Sequence, residues 1–228
     1  MRVLALETSS LTGSVALLER NRTIAEAPLP QGQRTAQSLA PAVVRVLSRV
    51  SWKAGDVDLV AVTQGPGSFT GLRIGITTAK VLAYLTGADL IGINTLAAIA
   101  ARAPEQTNSV LAVLDAHRQQ VYLAEFSRDD QTELTEIRST TICADGQWIR
   151  ELEPGVVVTG PGLSKCFDQI PPGVRVLDES LWHPQASTVG QLAYQEHLRG
   201  RRDDIWQFVP RYYRPSAAEE KLIRHSRE

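Results

Sequence analysis

Residues 59–88, with the sequence LVAVTQGPGSFTGLRIGITTAKVLAYLTGA, decide the fold of this chain. They begin with an apolar β-type run at 59–62, continue with a glycine-rich loop at 64–68, and predict a helix from about residue 70 to residue 85. A strand, a glycine loop and a helix are the usual context of a phosphate-binding loop. The spacing fits no such motif, because Thr70 stands where both the P-loop and the dinucleotide pattern require glycine.

Small residues recur every four positions through this stretch, at Gly67, Gly71, Gly75, Ala79 and Ala83. Residues four apart are neighbours on a helix surface, so the residues from Gly71 onward form a ridge with almost no side chains. Glycine inside a helix costs roughly 0.5–1 kcal/mol relative to alanine, which indicates that another backbone comes very close. Two hypotheses stay open at this point: the ridge packs against the chain's own sheet, or it docks another subunit.

The composition is ordinary for a globular protein of 228 residues, with 43% hydrophobic and 21% charged residues. A formal net charge of −1 gives no overall electrostatic reason to expect binding to nucleic acid or to an anionic membrane. No apolar run approaches the roughly 20 residues of a membrane span, and Glu7 comes too early for a signal-peptide core. Cys143 and Cys166 lie in no metal or redox spacing. We therefore expect a cytoplasmic chain with reduced thiols and no membrane contact.

The order of the predicted elements indicates two similar α/β lobes. Both open with an apolar strand, an acid-bearing turn and a return strand, and both have a later β run that ends in Gly-Pro-Gly. A duplicated βββαβα lobe with a mixed sheet is typical of the actin-like ATPase (ASKHA, RNase H-like) fold. We predict an N-terminal lobe at residues 1–104, which carries the dimerisation helices, and a C-terminal lobe at residues 105–228 that ends in a charged tail.

This fold class indicates where a nucleotide would bind. Actin-like ATPases present a carboxylate at the end of the first strand, and the hydroxyls of the next turn, to Mg²⁺-ATP. The corresponding nucleotide-binding candidates are Glu7, Thr8, Ser9, Asp115, Gly160 and Gly162. Pro161 removes a backbone donor that a phosphate or a base could use. The alternative for the first turn is a polar hairpin tip without a ligand.

Four segments resemble one bacterial family. They are residues 4–9 (LALETS), residues 65–75 (GPGSFTGLRIG), the pair Asp115-Ala116 and residues 210–214 (PRYYR). From end to end the chain closely resembles the bacterial TsaB (YeaZ-like) family, and the segment at 65–73 is the most specific of these motifs.

The resemblance implies a non-catalytic dimerisation or scaffold subunit of the complex that transfers threonylcarbamoyl to N6 of adenosine 37 in tRNAs reading codons that begin with A. It implies a catalytic TsaD-like subunit as the partner in a heterodimer, a TsaE-like ATPase as a third component, and a homodimer when the chain is isolated. It also implies contact with tRNA at most indirectly, no catalytic residue and no cofactor. An ATP-dependent phosphotransferase of the actin-like superfamily is the alternative function, and it rests on Glu7, Asp115 and the glycine loops.

The resemblance to a family that pairs through its N-terminal helices favours the docking hypothesis for the ridge. The residues predicted to contact a partner lie on two helices of the N-terminal lobe: Leu39, Val43, Gly67, Phe69, Thr70, Gly71, Arg73, Ile74, Gly75, Thr78, Ala79 and Leu82.

Three positions depart from the family pattern. Glu7 stands where most members have Asp, Arg34 where many have His, and His117 where Arg is common. The resemblance also implies that the catalytic paralogue carries a His-x3-His metal pair whose counterparts here are Arg34 and Ser38. Neither residue is a suitable ligand at that spacing, so no metal site is predicted.

Overall fold

The computed structural model describes residues 1–129, 133–144 and 146–214. Its first sheet has five strands in the order β3-β2-β1-β4-β5. The central strand, β1 (Arg2–Glu7), pairs antiparallel with β2 (Ser14–Glu19) and parallel with β4 (Leu59–Gly65). Strand β3 (Arg22–Pro28) and strand β5 (Asp89–Asn94) form the edges. Because β1 is covered on both faces, its sequence is a continuous apolar run rather than an alternating one.

Helices α1 (Thr35–Arg49) and α2 (Phe69–Thr86) pack against one face of this sheet. Helix α2 begins after Ser68, whose hydroxyl accepts a hydrogen bond from the Gly71 amide at 3.2 Å. It ends at Gly87, which takes a left-handed conformation with φ of 76°. The boundaries predicted from the sequence, about 70 to 85, are within one residue of those observed. The short helix α3 (Thr95–Ala100) then leads to the second lobe.

The second sheet repeats the topology of the first. Its order is β10-β9-β6-β7-β8, with β6 (Ser109–Asp115) at the centre, β7 (Gln120–Arg128) and β8 (Leu134–Ala144) antiparallel beside it, and β9 (Val157–Thr159) and β10 (Arg175–Val176) parallel on the other side. The predicted α/β fold with two duplicated lobes and mixed sheets is confirmed.

The helices of the second lobe are much shorter than those of the first. Helix α4 (Gln147–Arg150) has four residues, whereas α1 has 15. A five-residue 3-10 turn, Pro161–Lys165, follows β9 at the place where the 18-residue α2 follows β4. The two lobes therefore share the same strand order, but the long helices of the first lobe have no equivalents in the second.

The last described part of the chain returns to the first lobe. Helix α5 (Ala186–Leu198) buries Val189 and Ala193 against the face of the first sheet opposite to α1 and α2. The predicted boundary near residue 104 lies in the connection between α3 and β6. Residues that follow it nevertheless cover the first sheet, so assigning all of residues 105–228 to the second lobe does not describe the packing of α5. The predicted charged tail lies outside the described residues, which end at residue 214.

In the described part of the chain, no helix is both long enough and apolar enough to cross a membrane.

Candidate functional site: the outer face of α1 and α2 and the turn after β1

The small-residue ridge of α2 faces the chain's own first strand. Gly71, Gly75, Ala79 and Ala83 are all buried. A Cβ added to Gly71 would overlap the carbonyl oxygen of Thr8, and one added to Gly75 would overlap the Thr8 hydroxyl. The docking hypothesis was therefore wrong for Gly71, Gly75 and Ala79. The glycines are needed because the turn after β1 crosses the helix at backbone distance, which leaves no room for side chains.

Two predicted interface residues of α1 are also part of the core. Leu39 is 1% exposed and Val43 is 5% exposed, and both pack in the cluster between the helices and the sheet. Their helical spacing marks the inward face of an amphipathic helix. Neither can contact a partner while the lobe is folded, so these two assignments were wrong as well.

The remaining predicted interface residues lie on or near the surface. Phe69, Thr70 and Arg73 are exposed, whereas Gly67, Ile74, Thr78 and Leu82 are partly buried. The most exposed apolar side chains of these two helices were not among the predicted residues: Val44, Val81, Tyr84 and Leu85, which are 50–73% exposed. Together with the exposed Thr70 and Thr77, these side chains lie on the solvent-facing sides of α1 and α2, which we call the outer helical face.

The C-terminal strap, residues 201–214, runs along one side of this face. The Arg73 guanidinium lies 4.0 Å from the centre of the Phe69 ring, and its Nε donates a 2.9 Å hydrogen bond to the Tyr212 hydroxyl. The Phe69 and Tyr212 rings stack at 4.8 Å. Nearer the other end of α2, Lys80 Nζ donates a hydrogen bond to the Phe208 carbonyl at 3.0 Å. The sequence signal for the strap was the Pro-Arg-Tyr-Tyr-Arg motif, but nothing in it indicated α2 as its neighbour.

The predicted nucleotide turn after β1 is closed. Glu7 is fully buried, and its Oε1 accepts hydrogen bonds from the Ser9 amide at 2.7 Å and the Ser9 hydroxyl at 2.5 Å. The Ser10 hydroxyl donates to the other carboxyl oxygen at 3.1 Å. Burial raises the pKa of Glu7 above its ordinary value, and the hydrogen bonds from Ser9 and Ser10 offset that effect in part.

The two residues after Glu7 are held by α2 and its preceding loop. Thr8 is fully buried, and its hydroxyl has no hydrogen-bond partner among the described residues. The Ser9 carbonyl accepts a 2.7 Å hydrogen bond from the Ser68 amide, and a Cβ on Gly67 would come within 2.5 Å of the same oxygen. Glu7, Thr8 and Ser9 are thus enclosed by their own chain and present no surface to Mg²⁺-ATP.

The equivalent turn after β6 is open and carries a paired carboxylate. Asp115 Oδ2 lies 2.6 Å from Lys165 Nζ, and its Oδ1 accepts a 2.8 Å hydrogen bond from the His117 amide. Burial acts to raise the pKa of Asp115, but the hydrogen bonds from Lys165 and His117 and the charges of both residues outweigh it, so this pKa lies below its ordinary value. His117, Arg118 and Gln119 are exposed and have φ between 55° and 58°.

The second Gly-Pro-Gly loop packs against its own sheet. Gly160 has φ of 119°, and a Cβ there would overlap the carbonyl oxygen of Val113. A Cβ on Gly162 would lie 2.8 Å from the Val113 side chain. Both glycines are buried. The structure therefore gives Gly160 and Gly162 a packing role, and it does not bring them together with the buried Glu7 turn at an open surface.

Arg34 and Ser38, at which the resemblance implied that a metal pair is missing, lie at the start of α1. Arg34 is exposed at the residue before α1, and the Ser38 hydroxyl donates to the Arg34 carbonyl at 3.2 Å. Across residues 1–129, 133–144 and 146–214, no group of three or more His, Cys, Asp or Glu side chains is placed to hold a metal ion.

A cleft of about 620 Å³ between α3, α5 and β8 was not anticipated from the sequence. Its cations are engaged within the chain: Arg128 donates to the carbonyls of Ala101 and Ala103, and Arg199 pairs with Glu133 and Glu196. This pattern is typical of a charged contact that ties α5 to the second lobe.

Comparison with known proteins agrees with the fold. Over 97% of its length the chain is 30% identical to the tRNA threonylcarbamoyladenosine biosynthesis protein TsaB of Escherichia coli, of which it covers 98%. The chain belongs to the TsaB (YeaZ-like) family. The TsaB protein of Haemophilus influenzae is 31% identical, with 97% of both chains covered.

Two further comparisons place the TsaB-family chain among its relatives. The solved structure of YeaZ from Pseudomonas aeruginosa matches with a TM-score of 0.79 at 28% identity, covering 92% of this chain and 99% of that one. Residues 27–166 match the family model described as TsaD, tRNA N6-adenosine threonylcarbamoyltransferase. That range ends within the second lobe, whereas the matches to the Escherichia coli and Haemophilus influenzae TsaB proteins cover 97% of this chain.

Proposed function

We propose that this chain is a non-catalytic subunit of the system that makes threonylcarbamoyladenosine in tRNA. Membership of the TsaB family supports the process. The single observation that carries the non-catalytic role is the closed turn after β1, where Glu7 is fully buried among its own serine hydroxyls. A carboxylate enclosed in this way cannot orient Mg²⁺-ATP unless the lobe opens and breaks these hydrogen bonds.

The same observation argues against the alternative of an ATP-dependent phosphotransferase. Asp115 is open to solvent, but its counterpart in the first lobe is not, and phosphoryl transfer depends on positioning the phosphates and metal between such groups. Calorimetry with Mg²⁺-ATP tests this directly, and tight binding that is lost in Glu7→Gln would restore the enzyme hypothesis.

The outer helical face is the proposed docking surface for a catalytic TsaD-like subunit. Its support is an exposed apolar stripe on α1 and α2, including Val81 at 50% and Leu85 at 73% exposure, which a monomer leaves in water. We propose that the isolated chain forms a homodimer through this face, and that a TsaE-like ATPase joins the heterodimer. On this proposal tRNA is contacted by the partner and by this chain at most indirectly.

The test combines reconstitution with a steric variant. Purified chain, TsaD-like subunit, TsaE-like ATPase and a threonylcarbamoyl-AMP source are incubated with tRNA, and the modified nucleoside is measured by mass spectrometry. We expect product with the chain and little or none without it.

Thr77→Trp places a bulky neutral ring on the outer helical face and should abolish both co-elution and product. The control Thr135→Trp, exposed on β8, should leave both intact. Full modification without the chain would overturn the proposal.

A further inference from the structure

The C-terminal strap is fixed to the first lobe rather than loosely laid on it. Phe208 is 5% exposed and packs so closely on Gly92 that a Cβ there would overlap its ring. Asp203 accepts from the Gly92 amide at 2.7 Å and its own amide donates to the Leu90 carbonyl at 2.9 Å, while Arg201 donates to the Gly92 carbonyl at 2.8 Å. The strap therefore supplies hydrogen-bond partners to the backbone groups at the outer edge of β5. Its removal would expose both that edge and Phe208.

The fixed strap adds aromatic side chains to the surface beside α2. Trp206 is 74% exposed and meets Tyr84 of α2 edge to face at 5.4 Å. Tyr212 is 43% exposed and stacks on Phe69. Both contacts join a strap residue to a helix residue, so the outer helical face and the strap form one surface. Exposed Trp and Tyr on a rigid support are the side chains that most often dominate binding energy at interfaces.

All charged residues of the two helices that carry this surface are basic. Neither α1 nor α2 contains an Asp or Glu, and their basic residues are Arg45, Arg49, Arg73 and Lys80. Among the described residues Arg45, Arg73 and Lys80 form no ion pair with a carboxylate. Arg73 and Lys80 are held by an aromatic ring, a hydroxyl and backbone carbonyls instead. On the strap, Asp204 accepts from the Trp206 amide at 2.7 Å.

We propose that Trp206 and Tyr212 of the strap belong to the docking surface, and that its occupant is an apolar surface of a different protein, bordered by Asp and Glu side chains. This proposal rests on the docking surface of the proposed function and deepens it. Exposed cations without acidic partners require acids from the other side of an interface to be complemented. The aromatic pairs extend the apolar area of α1 and α2, and Arg45 and Arg73 meet the partner's carboxylates.

A second copy of this chain complements the same surface less fully than an acid-bordered partner does. A two-fold contact brings identical patches together, so cations of α1 and α2 would face helices that contain no acid. The strap also carries the exposed Asp204, so a second copy would bring one carboxylate to this contact, whereas a partner with an acidic border brings several, and charge therefore favours the heterologous pairing. The geometry thus ranks an acidic partner above a homodimer on this face, and that ranking depends on ionic strength.

The experiment measures binding of the full chain to the purified TsaD-like subunit by calorimetry at 0.05, 0.15 and 0.5 M NaCl, with self-association followed by sedimentation in the same buffers. We expect heterodimer affinity to fall at least tenfold across this range while self-association stays constant or strengthens. Arg45→Glu should weaken the heterodimer about tenfold and not weaken the homodimer. Trp206→Ala should weaken the heterodimer about 30-fold.

Matched controls keep this test separate from that of the proposed function. Phe167→Ala and Arg150→Glu change an exposed aromatic and an exposed cation in the second lobe, and both should bind as the wild type does. Circular dichroism of each variant excludes loss of fold.

If the wild type fails to bind at any salt concentration, the proposed function fails. If it binds but neither salt, Arg45→Glu nor Trp206→Ala changes the affinity, the inference about the strap and the acidic partner is overturned. Equal weakening of homodimer and heterodimer by Arg45→Glu would assign the face to a second copy and also overturn it.

Discussion

The turns after β1 and β6 occupy the same place in two lobes of the same strand order, yet one is closed and the other is open. In the first lobe the 18-residue α2 follows the Gly-Pro-Gly loop, and its glycines lie against Thr8. In the second lobe a five-residue 3-10 turn follows, and Lys165 at its end reaches Asp115. The difference teaches that the length of the helix behind the loop, and not the acid in the turn, decides whether a ligand could reach the carboxylate.

The two lobes also differ in what covers them. The first sheet has α1 and α2 on one face and α5 on the other, and the strap closes its edge. The second sheet has α3 on one face, with Trp148, Leu163 and Trp182 on the other. The first lobe therefore carries its exposed helical surface on a sheet that is covered on both faces and closed at one edge.

The largest effect is expected at the strap's anchor. Phe208→Ala should lower the free energy of unfolding by about 3–5 kcal/mol, because it removes a buried aromatic side chain from the core of the first lobe. Urea titration followed by circular dichroism measures this loss. Trp206→Ala, only two residues away but 74% exposed, should change stability by no more than about 0.5 kcal/mol. Equal losses for the two variants would show that the strap is not anchored as described.

The next effect concerns the glycines that close the first turn. Gly75→Ala should destabilise the chain by up to about 2 kcal/mol, because overpacking against Thr8 costs about 1–3 kcal/mol and helix propensity returns only about 1 kcal/mol. The control Gly55→Ala, with no neighbour within 4 Å, should be nearly neutral. If Gly75→Ala kept full stability but lost binding to the partner, the docking interpretation of the ridge would be restored.

Most of the fold could be predicted from the sequence, because it depends on local patterns. Apolar runs, turn residues and the limits of α2 all follow from neighbouring residues, and the duplicated order follows from comparing two halves of one chain. The family was identified from motifs at residues 4–9, 65–75, 115–116 and 210–214.

The contacts that define the site could not be predicted in the same way. A spacing of four residues shows that Gly71 and Gly75 share a face, but it does not show what lies against that face. Leu39 and Val43 have the periodicity of any buried helical stripe, and an interface stripe would look the same. Tyr212 meets Arg73 across 139 positions of sequence, and no local signal specifies such a pairing.

A smaller effect separates the two carboxylates by pH. The pKa of Glu7 is raised in the folded state above its ordinary 4.5, so the folded state binds its proton more tightly than the unfolded state and stability falls as pH rises through that folded pKa. Asp115 has the opposite sign: its pKa lies below 3.8, so its contribution is present above pH 3.8 and is lost as pH falls through the folded pKa.

The corresponding variants make this difference measurable by urea titration from pH 3 to pH 8. Relative to the wild type, Glu7→Gln should gain stability as pH rises above about 4.5, because the amide keeps the acceptor for Ser9 and never ionises. Asp115→Asn should show a deficit at neutral pH that shrinks below about pH 3.8. A Glu7→Gln difference that is constant over the whole pH range would mean that the first turn is open to water.

The smallest effect is expected at the ion pair of the open turn. Lys165 is 53% exposed and Asp115 is 28% exposed, so water screens their attraction and a pair of this kind contributes about 0.2–1 kcal/mol. Lys165→Ala should therefore lower the unfolding free energy only slightly, and a double-mutant cycle with Asp115→Asn should give a coupling in the same range. Because no long helix encloses the open turn, water reaches both charges and the coupling should be weak. A coupling above about 2 kcal/mol would instead show that the Asp115 carboxylate is as enclosed as that of Glu7. The missing helix of the second lobe would then not explain any difference between the two turns.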